Sequence, residues 1–100
     1  MGKAVKTRAE REYHGRLASL PCVLCEALGQ PQTDPTQVHH IREGQGASQR
    51  ASHWLTIPLC TYCHSGKHGI HGDRALLRIA GVSELDLLAM TVERVAGRAA

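Results

Sequence analysis

The chain has no phenylalanine, and its aromatic rings are confined to Tyr13, Trp54 and Tyr62. A core of this size built almost without rings must find cohesion elsewhere, because aromatic side chains bury the largest areas. No apolar run is long enough to cross a bilayer, and the basic stretch 1–16 has no signal-peptide core, so the expectation is a cytoplasmic protein with no membrane partner. Cysteine is also scarce. There are four, and all fall in two Cys-x2-Cys clips, Cys22/Cys25 and Cys60/Cys63.

In a reducing compartment, paired clips of this kind are metal ligands far more often than disulfides or redox pairs. Each clip spans one edge of a tetrahedron and the intervening segment closes the loop, which is what a structural Zn(2+) asks for. Such a staple replaces part of the burial that a 100-residue chain poor in rings lacks. The formal charge of +3 becomes about +1 once four thiolates and one zinc are counted. That mild basicity permits a nucleic-acid partner without requiring one. Lys3, Lys6, Arg8, Arg11 and Arg16 concentrate before the first clip, opposed only by Glu10 and Glu12.

The pattern divides into a basic N-terminal helix or arm over 1–20 and a zinc-containing domain over 21–100. Thr7 to Ser19 favours a helix with Ala9, Tyr13, Leu17 and Leu20 on its apolar side, His14 on its surface, and Pro21 as its stop. Cys22 to Cys25 reads as a turn, and 29–36 as a polar connector. Val38 to Ile41 suits a short strand, followed by a Gly44-Gln-Gly46 loop with Arg42 and Arg50 nearby. Trp54 to Leu59, interrupted by Pro58, reads as an edge strand that enters Cys60, with Trp54 in the core beside the zinc. The glycine-rich 65–72 segment reads as a loop. Asp73 then caps a helix stopped by Gly81, and Ser83 with Asp86 makes a capping box for a helix whose core stripe is Leu85, Leu88, Val92 and Val95. The fold class is a small α+β, zinc-stapled domain.

The histidines are surplus to a four-thiolate site. Adjacent strand residues point to opposite faces, so His39 and His40 cannot both hold one ion, and one is left for another task. That division suits metal-assisted phosphodiester cleavage, which needs an ion at the phosphate and an imidazole to take a proton from water. The stretches Val38-His39-His40-Ile41 and Ile57-Pro-Leu-Cys-Thr-Tyr-Cys-His64 resemble the His-Asn-His (HNH) nuclease superfamily. With Pro21-Cys22, Gly44-Gln-Gly46, Gly69-Ile-His71-Gly72 and Leu85-Asp-Leu-Leu-Ala89, the chain from Pro21 to Val95 is most similar to the phage recombination-enhancement (Ref-type) nucleases.

The resemblance implies a ββα-metal finger with flanking N- and C-terminal helices. It implies His39 and His64 as ligands of a second divalent metal, His40 as general base, DNA as substrate, and products with 5′-phosphate and 3′-hydroxyl ends. It also implies a RecA-type recombinase filament as partner and a phage or prophage origin in a bacterial cell. The third ligand lies between His68, at i+4 from His64, and His71, in the Gly-Ile-His-Gly segment; the glycines weaken the helix that His68 would need and favour His71. Three imidazoles prefer zinc, with manganese, nickel or magnesium as further occupants. Arg42 and Arg50 read equally as phosphate clamps and as solvated charges.

The chain contains no asparagine, so the middle residue of the superfamily name is missing. His53, with Ser52 behind it, is the expected substitute that supports the base. The reading from these residues is a metal-dependent DNA endonuclease. The alternative is a non-catalytic zinc module binding DNA or protein.

Overall fold

A computed structural model of the chain describes residues 5–46 and 51–97. Helix α1 (Arg8–Ala18) starts at a reciprocal capping box, in which the Thr7 amide donates to Glu10 Oε1 at 2.7 Å and the Glu10 amide donates to Thr7 Oγ1 at 3.1 Å. Its buried residues are Leu17 and His14. The histidine expected on the helix surface is therefore inside: it lies one turn before Leu17 and shares its face.

The first cysteine clip was expected to be a turn and is instead the opening of helix α2 (Val23–Leu28), because extended Cys22 acts as its cap and accepts the Cys25 amide on Sγ at 3.3 Å. Gly29, at φ 72°, closes this helix in the left-handed region.

Strands β1 (Thr36–His40) and β2 (Thr56–Cys60) pair antiparallel, from Thr36 opposite Cys60 to His40 opposite Thr56. All five β2 residues are buried, beneath α1, α2 and α5. Pro58 is tolerated because in a two-stranded ribbon one edge of each strand is free of the ladder. The second strand begins two residues after Trp54, which is 46% exposed and so lies outside the core in which it was expected.

Helix α3 (Thr61–Ser65) leaves β2 at once, with Cys60 as its cap. The following glycine segment folds back on it: the Ile70 amide donates to the Cys63 carbonyl at 2.9 Å and the His71 amide to that of His64 at 3.0 Å. A Cβ on Gly69 would stand 2.4 Å from the Cys63 carbonyl oxygen, and one on Gly72 would stand 2.1 Å from that of Lys67, so only glycine permits the return.

Helix α4 (Ala75–Ala80) begins one residue later than Asp73 alone implies. Asp73 Oδ1 accepts the Ala75 amide at 2.9 Å across a left-handed Arg74. Helix α5 (Glu84–Val92) carries the expected Ser83–Asp86 box and runs into a π-helical turn, Glu93–Gly97. Its buried face is Glu84, Leu87 and Thr91, while Leu85 and Val92 are about half exposed, so the expected stripe is rotated by one position. The rotation is driven by a polar group: Glu84 is drawn inside by three hydrogen bonds described below. Leu17, Leu24, Ile57, Leu59 and Leu87 fill the core with the four cysteines. No helix among the described residues is long and apolar enough to cross a membrane.

Candidate metal centre and active site

Both cysteine clips have one design, an extended cysteine before a helix and its partner three residues on in the first turn. The helix amides there favour negative sulfur. Cys22, Cys25, Cys60 and Cys63 are buried, unbridged, and grouped within metal-binding range. Cys25 Sγ lies 3.7 Å from both Cys60 Sγ and Cys63 Sγ. A tetrahedral zinc with sulfurs at ~2.3 Å has edges of about 3.8 Å, so the cluster already has the right dimensions. Hydrogen bonding from Cys63 holds Cys22 down at about 5, while burial pushes Cys25 up to about 11 and the Cys22 contact pushes Cys63 far up. Four thiolates coexist there only around a cation.

On one face of β1, His39 meets His64 from α3 and His71 from the glycine return, with ring centroids 5.0 and 5.1 Å from His39 and 4.8 Å between His64 and His71. One nitrogen from each ring lies within 4.8 Å of the others. Burial, then the neighbouring His39 and His71, lower His64 to about 4. Burial also lowers His71, with His39 and Arg42 adding to the effect. Both rings are therefore neutral near pH 7 and offer lone pairs.

Their orientation is fixed from behind. His39 Nε2 donates to Glu84 Oε2 at 2.6 Å, and His64 Nδ1 donates to Gln37 Oε1 at 2.7 Å, which leaves lone pairs on His39 Nδ1 and His64 Nε2. Glu84 is fully buried. Burial alone would raise its carboxyl, but the His39 bond and the Arg42 and Glu43 amides, at 2.8 Å each, outweigh that and hold it at about 2. In return, Glu43 Oε1 accepts the Leu85 amide at 3.2 Å, so the loop after β1 and the start of α5 are clasped together.

On the opposite face, His40 Nε2 and His53 Nδ1 lie 2.9 Å apart. Buried His14 reaches the same place from α1. Lys6 Nζ can only donate, so at 3.2 Å it makes His14 Nδ1 the acceptor and leaves the proton on Nε2, which donates to the His53 carbonyl at 2.6 Å. His14, His40 and His53 are grouped as closely as a metal site. With both His14 nitrogens engaged and an ammonium beside them, the arrangement fits a hydrogen-bond network rather than an ion.

The structure thus brings together His39, His64 and His71, and separately His40 and His53. His68 is outside both groups, with Nδ1 bonded to the Asp73 carboxylate at 3.0 Å. Ser52, next to His53 in the chain, accepts the Trp54 amide on Oγ at 3.1 Å and shapes the turn. Arg42 is exposed, and its charge reaches His71, as does that of Arg74. Arg50 lies outside the described residues. Glu84, His14 and Gln37 are the partners that sequence reasoning missed. For His14 a signal existed in its spacing from Leu17, and for Glu84 in its spacing from Leu87. Gln37 offered none.

Fold and cysteine cluster together define a small α+β protein whose four grouped cysteines are compatible with zinc binding. The residues carry the assignment further: 6–94 match the family model described as recombination enhancement, RecA-dependent nuclease, and the chain belongs to that family of nucleases linked to recombination. No curated protein and no solved structure matches the chain.

Proposed function

We propose that the protein is a metal-dependent DNA endonuclease of the HNH type, hydrolysing phosphodiester bonds in concert with a RecA-type recombinase filament. The observation that carries this reading is the division of β1 into two faces, with the His39–His64–His71 group on one and the His40–His53 pair on the other. The order β1, β2, α3 is that of a ββα-metal finger, with the four-cysteine zinc holding it rigid.

His39, His64 and His71 would hold the active-site divalent ion, and rings oriented from behind by Glu84 and Gln37 suit that task. When bound, the ion supplies Lewis-acid stabilisation of the phosphate and of the departing 3′ oxygen. His40 acts from the other side of the strand. Its Nε2 pairs with His53 Nδ1 at 2.9 Å, which holds the imidazole in place to take a proton from the attacking water. His53 replaces the missing asparagine as support, and His14 fixes His53 through its carbonyl. Arg42, exposed beside His71, is placed to grip a phosphate oxygen, and Arg50 is assigned the same role from the sequence alone.

The test is cleavage of supercoiled plasmid and of duplex DNA paired within a recombinase filament, with and without divalent ions, followed by analysis of the ends. Metal-dependent cutting that leaves 5′-phosphates is expected. Intact DNA under all of these conditions, from a protein carrying one metal per chain, would instead identify a non-catalytic zinc module.

A further inference from the structure

Trp54 is the chain's single tryptophan and, despite its size, stands 46% exposed. A half-exposed indole presents a broad flat apolar face with a polar edge, which suits it to a flat ligand. Its backbone is fixed by the turn in which the Trp54 amide donates to Ser52 Oγ. Its ring is propped against Tyr13, with centroids 5.2 Å apart and planes at 44°.

The pair is continuous with the face of His40. Tyr13 is followed in the ring series by His14 at 6.4 Å, and His14 by His40 at 5.6 Å. Trp54 itself directly follows His53, which pairs with His40. Cations border the pair: Arg16 acts electrostatically on Tyr13, and Lys6 bonds His14. An exposed indole backed by half-buried Tyr13 and bordered by cations has the make-up of a surface on which a base of a single strand stacks while the backbone is held by charge.

The geometry points to Trp54 and Tyr13 as a stacking platform for an unpaired nucleobase next to the phosphate that is cut, which makes single-stranded or locally unpaired DNA the substrate class. Bases in an intact duplex are covered by their neighbours and offer no face to the indole. This inference rests on the nuclease reading for the position of the scissile phosphate, but its test does not depend on cleavage.

Because Trp54 is the sole tryptophan, its fluorescence reports the platform directly in the metal-loaded wild-type protein. The probe is an oligothymidylate with phosphorothioate linkages, alone or annealed to its complement. Saturable quenching is expected with the single strand at a concentration about tenfold below that needed for the duplex. Anisotropy of the labelled strand should show about tenfold weaker binding for Trp54→Ala and near-normal binding for Trp54→Phe, in line with stacking free energies. An unchanged spectrum with the single strand, equal midpoints for both forms, or Trp54→Phe binding as poorly as Trp54→Ala would overturn the platform. Wild-type cutting without quenching removes the platform and spares the nuclease. Quenching without cutting under any condition does the reverse.

Discussion

Glu84 shows how one side chain can serve both fold and site. It is fully buried, yet it carries a charge held in place by His39 and two backbone amides. Glu84→Gln keeps the shape and removes the charge that orders His39. It is expected to weaken the second metal by about 10- to 100-fold while the four-cysteine metal stays, as read by metal content under graded chelation. The pH response has two stages. His64, lowered from 6.5 to about 4, and His71, also lowered, are neutral when folded and pick up protons on unfolding, so their contribution to stability is whole above about pH 6.5 and is lost as pH falls towards 4. Glu84, lowered from 4.5 to about 2, contributes fully above 4.5 and loses its share as pH falls to about 2. Denaturant midpoints measured from pH 7 to pH 3 should therefore decline in both windows; a midpoint that rises between pH 6.5 and 4 would contradict the imidazole assignment.

Elements are positioned by residues whose function differs from their sequence signal. The glycine return is the clearest case, since it carries His71 back over α3 to meet His39 and His64. Gly69→Ala would press a methyl group into the Cys63 carbonyl. The expected result is a loss of about 1–3 kcal/mol in stability together with loss of the second metal, measured by thermal unfolding and metal analysis. The sequence favoured His71 over His68 because three glycines disfavour the helix that His68 would need, and His71 is the one that lies beside His39 and His64. Caps were equally legible: Ser83 and Asp86 pair as their spacing requires. The buried face of α5 was not, because its first residue is an acid, and the carboxylate is admitted only by partners more than forty positions away in sequence. Trp54 was misplaced for the related reason that hydrophobicity alone predicts burial, whereas β2 starts at Thr56 and leaves the indole outside.

Taken whole, the molecule converges on the four buried cysteines, brought together by α2, β2 and α3. Metal binding to such sites supplies roughly 10–16 kcal/mol, comparable to the entire stability of a small domain. Strong chelation or Cys63→Ala should therefore unfold the protein cooperatively, with loss of helical circular dichroism; a protein that keeps its spectrum without metal would show that the aliphatic core suffices. The grouping of the four cysteines was legible, because clip spacing is local. The site was legible in part. His39, His40, His53, His64 and His71 all carried a pattern, but the route from Lys6 through His14 to His53 crosses from α1 to the hairpin and depends on tertiary packing.

The two-faced strand is the centre of the account, and paired measurement of cleavage rate and metal content in His39→Ala and His40→Ala tests it most directly. His40→Ala should keep two metals per chain and lose at least about a hundredfold in cutting rate, whereas His39→Ala should lose the second metal as well as the activity. Wild-type cutting by His40→Ala, or loss of the second metal in that variant, would contradict it.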